Sequence, residues 1–221
     1  MTDKKRVGVL ISGRGSNLQA LLDAQAKPDY PAQIVRVISN IPDVLGLERA
    51  QKSGVPTAVI SHKDYPDRES FERAVNAQLE LDGVEIVCLA GFMRVLTEYF
   101  VTHWNGRLIN IHPSLLPLFK GLHTHERALE EGVRFAGCTV HFVVPEMDSG
   151  PIIVQAAVPV LQGDTPDLLA ARVLEQEHVV YPLALALVAE GRTRIEGGIV
   201  HLSGTVPAAS ALVNPSGLAL E

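Results

Sequence analysis

The stretch VGVLISGRGSNLQALL, residues 7–22, decides the fold. Residues 7–11 form an apolar run broken only by a glycine, the pattern of a strand covered on both faces. Ser12-Gly13-Arg14-Gly15-Ser16-Asn17 follows, and then Leu18, Leu21 and Leu22 recur at helical spacing. Strand, glycine-rich loop and helix, in that order, are the first half of a βαβ unit. Working outward, apolar runs at 34–38, 56–60, 84–89 and 108–111 predict further strands. Helical patterns at 46–52, 67–81 and 95–104 alternate with them. Such alternation implies a mostly parallel, doubly wound sheet. From Ala136 the rhythm changes: runs at 138–144 and 152–160 are joined by a short loop, which implies an antiparallel pair. A long helix is expected over 167–190 despite Pro182, and 205–221, rich in Ala, Ser, Pro and Gly, reads as a loosely held tail. The expected class is therefore α/β and Rossmann-like, with an antiparallel pair toward the C-terminal part. One domain, 1–204, is expected to carry it, followed by the tail 205–221.

Of the 221 residues, 47% are hydrophobic and 20% charged, enough to build a sizeable core and too apolar for global disorder. The net charge of -6 disfavours a nucleic-acid partner, which selects for a broad basic face. It leaves room for a small anion held by backbone N–H groups. Cys88 and Cys138 sit inside apolar runs and read as buried thiols of a reduced protein. The apolar run at the N-terminus is too short for a signal peptide, and no run approaches a membrane span. A cytoplasmic protein without membrane contact is the expectation.

The glycine loop departs from the dinucleotide fingerprint, because Leu18 stands at its third glycine position and the second strand ends Ser39-Asn40 without an acidic residue. A phosphate monoester fits it better than a nicotinamide cofactor. A tight turn with Ser16 or Asn17 as helix N-cap is the structural alternative. The fifth strand continues Asn110-Ile111-His112-Pro113. Residues two apart on a strand share a face, so Asn110 and His112 lie together at the end where open α/β sheets bind ligands. Pro113 favours an extended His112. An amide that donates to an oxyanion and an imidazole that moves a proton suit acyl transfer. Ser114-Leu115-Leu116-Pro117 would wall the pair from water. Met147-Asp148-Ser149-Gly150-Pro151 is either a plain turn or a means for Asp148 to reach His112. His103, His112, His123, His125 and His141 raise the idea of zinc, but no Cys or acidic partner stands at ligand spacing, and no metal is expected. No nucleophile elbow or His-paired cysteine is present, so a covalent route is not expected.

The motifs Gly13-Arg14-Gly15-Ser16-Asn17-Leu18-Gln19, Leu89-Ala90-Gly91-Phe92-Met93-Arg94, Asn110-Ile111-His112-Pro113-Ser114-Leu115-Leu116-Pro117, Gly121-Leu122-His123-Thr124-His125, Asp148-Ser149-Gly150-Pro151 and Gln176-Glu177-His178 occur in this order. Together they resemble the folate-dependent phosphoribosylglycinamide formyltransferases, from about Val7 to Gly191. The resemblance implies that the phosphate of glycinamide ribonucleotide lies on Gly15, Ser16 and Asn17, with Glu177 on its ribose or glycinamide end. It implies that 10-formyltetrahydrofolate lies between Phe92, Met93, Arg94, Val95 and Leu96 on one side and Val143, Val144 and Asp148 on the other, with Arg68 near the cofactor. The amine would attack the formyl carbon directly. Asn110 would hold the oxyanion, His112 would shuttle the proton, Asp148 would pair with His112, and His141 would support that loop. The family more often has Asn where Arg14 stands, so only backbone contacts to the phosphate are carried over there.

Two relatives share the Asn, His and Asp trio. Methionyl-tRNA formyltransferases resemble this core but add a C-terminal domain and a basic surface. Formyltetrahydrofolate deformylases add an N-terminal domain. The first strand begins near Arg6 and the chain ends soon after the core, so neither is expected. A non-catalytic nucleotide or folate binder would have no reason to keep the trio. Monomer and homodimer are both compatible with the sequence.

Overall fold

The computed structural model describes residues 4–204, 212 and 214. A seven-stranded sheet has the order β3-β2-β1-β4-β5-β6-β7. Its strands are β1 (Lys5–Ile11), β2 (Ala32–Ser39), β3 (Thr57–Val59), β4 (Ile86–Leu89), β5 (Leu108–His112), β6 (Phe135–Phe142) and β7 (Ile152–Pro159). β1 to β5 are mutually parallel, β6 runs antiparallel to β5, and β7 runs antiparallel to β6. The order reverses beside β1, which puts a crevice at the carboxyl ends of β1 and β4. The expected class, a mostly parallel doubly wound sheet with a late antiparallel pair, is the architecture observed.

The central strands β1, β4, β5 and β6 are buried on both faces, and their side-chain alternation sorts the core into two. Val7, Val9 and Ile11, Ile86 and Cys88, Ile109 and Ile111, and Cys138 and Val140 pack with α1 (Ser16–Gln25) and α6 (Pro166–Ala189). Leu10, Val87, Leu89 and Leu108 point the other way, to α3 (Arg68–Leu81) and α4 (Glu98–His103). By the same parity, Asn110, His112, Thr139 and His141 belong to the α3/α4 face, beyond the end of its core. Tyr181, wholly buried on α6, passes its hydroxyl to the carbonyl of Leu89 at 2.9 Å and so fixes α6 across β4. Trp104 closes the opposite core, with Nε1 on Asn76 Oδ1 at 2.7 Å. Thr165 caps α6 through the Leu168 N–H, and Asp67 caps α3 through the Ser70 N–H.

Several boundaries differ from expectation. The helix expected over 95–104 begins at Glu98, because Thr97 is extended and its N–H and hydroxyl are both taken by Glu72 of α3. Residues 92–97 are therefore an irregular segment. β5 extends one residue past its expected end and includes His112, while β6 starts earlier and stops at Phe142, leaving Val143 and Val144 in the loop. Neither Ser16 nor Asn17 caps α1: Gly15, in the left-handed region at φ 69°, occupies the cap position. The sequence reading did not anticipate α5 (Thr124–Glu130), a 3-10 turn at His62–Asp64, or a separate hairpin of β8 (Thr193–Glu196) and β9 (Ile199–Leu202). α2 (Leu45–Lys52) matches expectation. The expected loose tail, 205–221, lies outside the described residues except at Leu212 and Asn214. The Asn214 amide donates to the carbonyls of Arg134 and Val160. Among the described residues, no helix is long and apolar enough to cross a membrane.

Candidate functional site

The glycine loop is fixed by close packing. The Gly15 α-carbon lies against Gly46, so a β-carbon on Gly15 would stand 2.7 Å from the Gly46 α-carbon. The Gly46 N–H donates to the Gly13 carbonyl at 3.1 Å, and the Arg49 Nε to the Arg14 carbonyl at 3.0 Å. α2 thus braces the loop from behind. The N–H groups of Ser16, Asn17 and Leu18 open α1 and have no partner within the helix, the arrangement that receives an anion. Arg14 is exposed and makes no side-chain bond among the described residues.

Glu177 is not a solvated helix residue. It is 7% exposed and accepts from Asn17 Nδ2 at 2.6 Å. Burial raises its pKa above the ordinary carboxylate value, partly offset by that hydrogen bond. Asn17 Oδ1, on the same amide, is buried without a partner. An unmatched acceptor beside a buried carboxyl group, between α1 and α6, is a polar pair that a hydroxyl- or amide-bearing ligand would satisfy.

Asn110, His112, His141 and Asp148 converge at the carboxyl end of β5. Asn110 stands directly opposite His141 in the β5–β6 register. His141 is 2% exposed, and burial lowers its pKa below the ordinary imidazole value, against the opposing pull of the Phe142 carbonyl and Asp148. Its Nδ1 donates to the Phe142 carbonyl at 2.9 Å. Its Nε2 is then the lone pair, and it accepts from Asn110 Nδ2 at 3.4 Å. This contact fixes which end of the Asn110 amide is the NH2 group, and it leaves a second N–H on Nδ2 for another acceptor.

His112 is 6% exposed. Its Nε2 donates to the Phe119 carbonyl at 3.0 Å, and its Nδ1 lies 3.5 Å from Asp148 Oδ2. That second contact is an ion pair when the ring is protonated. Asp148 also accepts from the Gly121 N–H at 2.8 Å and lies 3.9 Å from His141 Nε2. It adopts a left-handed backbone, φ 50°. The turn that carries it needs Gly150, where a β-carbon would collide with the Phe142 carbonyl. Phe119, likewise left-handed, belongs to a loop pinned by Ser114 Oγ on the Leu118 carbonyl and by Arg127 on the Lys120 carbonyl. Lys120 in turn reaches Ser149 Oγ, closing this loop onto the one that carries Asp148.

The remaining anticipated residues lie on the 92–97 segment, on the loop after β6 and at the start of α3. Phe92 and Leu96 are half-buried and pack with Val143 against the α3/α4 core. Met93 and Val95 are 69% and 61% exposed, an apolar surface uncovered by the described residues. Val143 is drawn to β5 by its N–H on the Leu108 carbonyl, and Val144 is half-buried beside it in sequence. Arg68 is exposed at the first turn of α3. Neither Arg68 nor Arg94 forms a hydrogen bond or ion pair with the other site residues among those described. Sequence reasoning did not single out Glu72, which is 1% exposed and anchors Thr97, nor Ser12, whose hydroxyl accepts from the Met93 N–H at 2.8 Å. Among the described residues no three His, Cys, Asp or Glu side chains gather as metal ligands.

Comparison with known proteins follows the same outline. The trifunctional purine biosynthetic protein adenosine-3 of Homo sapiens is 55% identical over 192 residues, 87% of this chain. The chain spans only 19% of that relative's length. The phosphoribosylglycinamide formyltransferase of Escherichia coli (strain K12) is 46% identical over 196 residues, covering 89% of this chain and 92% of the relative. The solved glycinamide ribonucleotide transformylase 1 of Symbiobacterium toebii superposes with a TM-score of 0.89 at 49% identity, over 91% of this chain and 95% of that one. Residues 5–185 match the family described as formyl transferase, a span that includes the glycine loop, the Asn110 and His112 strand, Asp148 and Glu177, and the chain belongs to that family.

Proposed function

We propose that the chain transfers the formyl group of 10-formyltetrahydrofolate to the amine of glycinamide ribonucleotide, a step of purine synthesis. The observation that carries this reading is the convergence of Asn110, His112 and Asp148 at the carboxyl edge of the sheet that also carries the glycine loop, two strands away. Relatives named phosphoribosylglycinamide formyltransferase, 46% and 41% identical over 92% and 99% of their lengths, support it.

On this reading the ribonucleotide phosphate rests on the free N–H groups of Ser16 and Asn17 beside Gly15. Glu177 and the unmatched Asn17 Oδ1 receive the polar groups of its ribose or glycinamide end. The folate lies against Phe92, Met93, Arg94, Val95 and Leu96 and faces Val143, Val144 and Asp148, with Arg68 near its carboxylates. The amine attacks the formyl carbon, and the carbonyl oxygen becomes an oxyanion. The second N–H of Asn110 Nδ2, aimed by His141, donates to it. The amine must lose a proton and the departing folate nitrogen must gain one. Asp148 faces Nδ1 of His112, so Nε2 is the ring atom left to exchange that proton once a ligand displaces the Phe119 carbonyl. No metal enters these steps.

The test is a two-substrate assay read by absorbance of the folate product, with wild type, Asn110→Ala and His112→Ala. Turnover should require both substrates. Each variant should lose about 10²–10³-fold or more in kcat, with both KM values within a few-fold of wild type, since these groups act on the transition state. Folate release without the ribonucleotide would point to a deformylase, and a His112→Ala enzyme with near-normal kcat would remove the imidazole from the chemistry.

A further inference from the structure

Ser12 joins the two loops that the proposed function assigns to different substrates. It is the last residue before the glycine loop and is 7% exposed. Its N–H donates to the Gly91 carbonyl at 3.1 Å. Its hydroxyl oxygen accepts from the Met93 N–H at 2.8 Å, and its hydroxyl proton goes to Asn40 Oδ1 at 2.6 Å. Two of these three Ser12 bonds are made to the 91–93 segment.

The contacts close into a ring. Asn40, 2% exposed at the end of β2, donates Nδ2 to His62 Nδ1 at 3.2 Å. The His62 ring meets Phe71 edge-on at 6.3 Å, and Phe71 stacks on Phe92 at 6.5 Å. From Phe92 the chain passes to Met93 and back to Ser12. On the other side of Ser12, Gly13 and Gly15 carry no side chains and are held chiefly by α2. The far end of the donor segment is tied independently, through Thr97 to Glu72.

We infer that Ser12 is a positioning residue that couples the two substrate sites: it ties the loop that receives the ribonucleotide phosphate to the Met93 N–H, so that tightening of residues 16–18 around the phosphate also tightens the folate-binding segment. This rests on the functional reading above. The physical ground is that a segment hydrogen-bonded to a loop stiffened by one ligand loses less freedom when its own ligand binds. Linkage makes the effect reciprocal: each ligand tightens the other by the same factor. Asn40 holds the hydroxyl in the rotamer that serves Met93, so the pair acts as one unit.

The experiment titrates a non-transferable reduced-folate analogue by protein fluorescence, with and without saturating glycinamide ribonucleotide. Wild type should bind the analogue on the order of fivefold or more tightly in the presence of the ribonucleotide. The reverse titration should give the same factor. Ser12→Ala should bring that factor close to one while both ligands still bind. Thr97→Val, which loosens the same segment from its other end, should weaken the analogue yet keep the factor. An equal factor in wild type and Ser12→Ala, or no coupling in wild type, overturns the inference. Hydrogen exchange on the wild type supplies a test free of any folding defect. The ribonucleotide alone should slow the amides of 16–18 and also that of Met93. Slowing at 16–18 with Met93 unchanged overturns the coupling alone, and no slowing anywhere overturns the functional reading along with it.

Discussion

Alanine at Gly15 and at Gly13 should act in opposite directions, although the two positions are separated by one residue in the same loop. Gly15 has φ 69°, and a β-carbon there would lie 2.7 Å from the Gly46 α-carbon, a backbone atom that cannot swing away. The left-handed conformation costs an L-residue about 1–2 kcal/mol. Forcing α2 back to relieve the overlap adds about 1–3 kcal/mol by analogy with overpacked cores. Gly15→Ala should therefore lose about 2–5 kcal/mol of stability. Gly13 has no atom within 4 Å of its β position and is not in the positive-φ region. Gly13→Ala should be neutral or gain about 0.4–1 kcal/mol by restricting the unfolded chain. Urea unfolding at matched m values measures both, and the Gly15→Ala midpoint should fall by about 1 M or more if m is about 2 kcal/mol/M. The ribonucleotide KM should rise in Gly15→Ala, because displacing Gly46 also moves Arg49 and its hold on the Arg14 carbonyl. Equal stabilities for the two variants would show that the loop does not need glycine for close approach, and the packing argument would fail.

Two further outcomes follow from the buried carboxylates. Glu177 has a pKa raised by burial, so the folded state binds more protons than the unfolded state above the ordinary glutamate range. Stability then falls as pH rises through that window, and the penalty is absent below it. Glu177→Gln should accordingly be more stable than wild type at pH 7 and indistinguishable near pH 4, in thermal melts across pH, while its ribonucleotide KM rises. A wild type that is the more stable form at pH 7 would contradict the sign. Thr97→Val removes one of two donors to Glu72, whose pKa burial also raises, and leaves a carboxylate oxygen without that partner. The cost should be about 1–3 kcal/mol, with a higher KM for the folate and an unchanged KM for the ribonucleotide. Equal rises in both KM values would show a general loss of folding instead of a loosened 92–97 segment.

The sheet was legible because its strands are continuous apolar runs, and the parity of Asn110 and His112 was legible because strand geometry leaves no choice. What the sequence hid depends on partners distant in the chain. The start of α4 is set by Glu72, a residue that in a polar helical pattern looks like any other solvated glutamate. α5 spans seven largely polar residues and starts from a left-handed His123, so it has neither a cap signal nor an apolar stripe. The Gly197-Gly198 pair between β8 and β9 is a hairpin signal in itself, masked by the strand–helix rhythm that precedes it. The approach of Asp148 to His112 follows from the β6–β7 turn and its left-handed residue, which spacing alone does not determine.

The placement of the site explains why one strand, β6, runs against the others near the end of the sheet. A parallel neighbour to β5 would arrive through a crossover and would direct its own loop outward at the same edge as His112. An antiparallel β6 instead enters at His112 and sets Thr139 and His141 opposite His112 and Asn110. Its hairpin to β7 then turns near the far end of β5 and throws Asp148 back toward the ring of His112. Thr139 also accepts from the Leu116 N–H and donates to the Ser114 carbonyl, holding the loop whose Phe119 carbonyl meets His112. One strand thus supplies a support for the amide, a brace for the loop and the path to the carboxylate. Glu177 and Asn17 sit on the α1/α6 side, and the 92–97 segment packs with α3 on the other. On the proposed reading, acceptor and donor approach from opposite faces of the sheet and meet only at its carboxyl edge, so the two halves need a mechanical link, and Ser12, just past the end of β1 between them, is where the hydrogen bonds provide it.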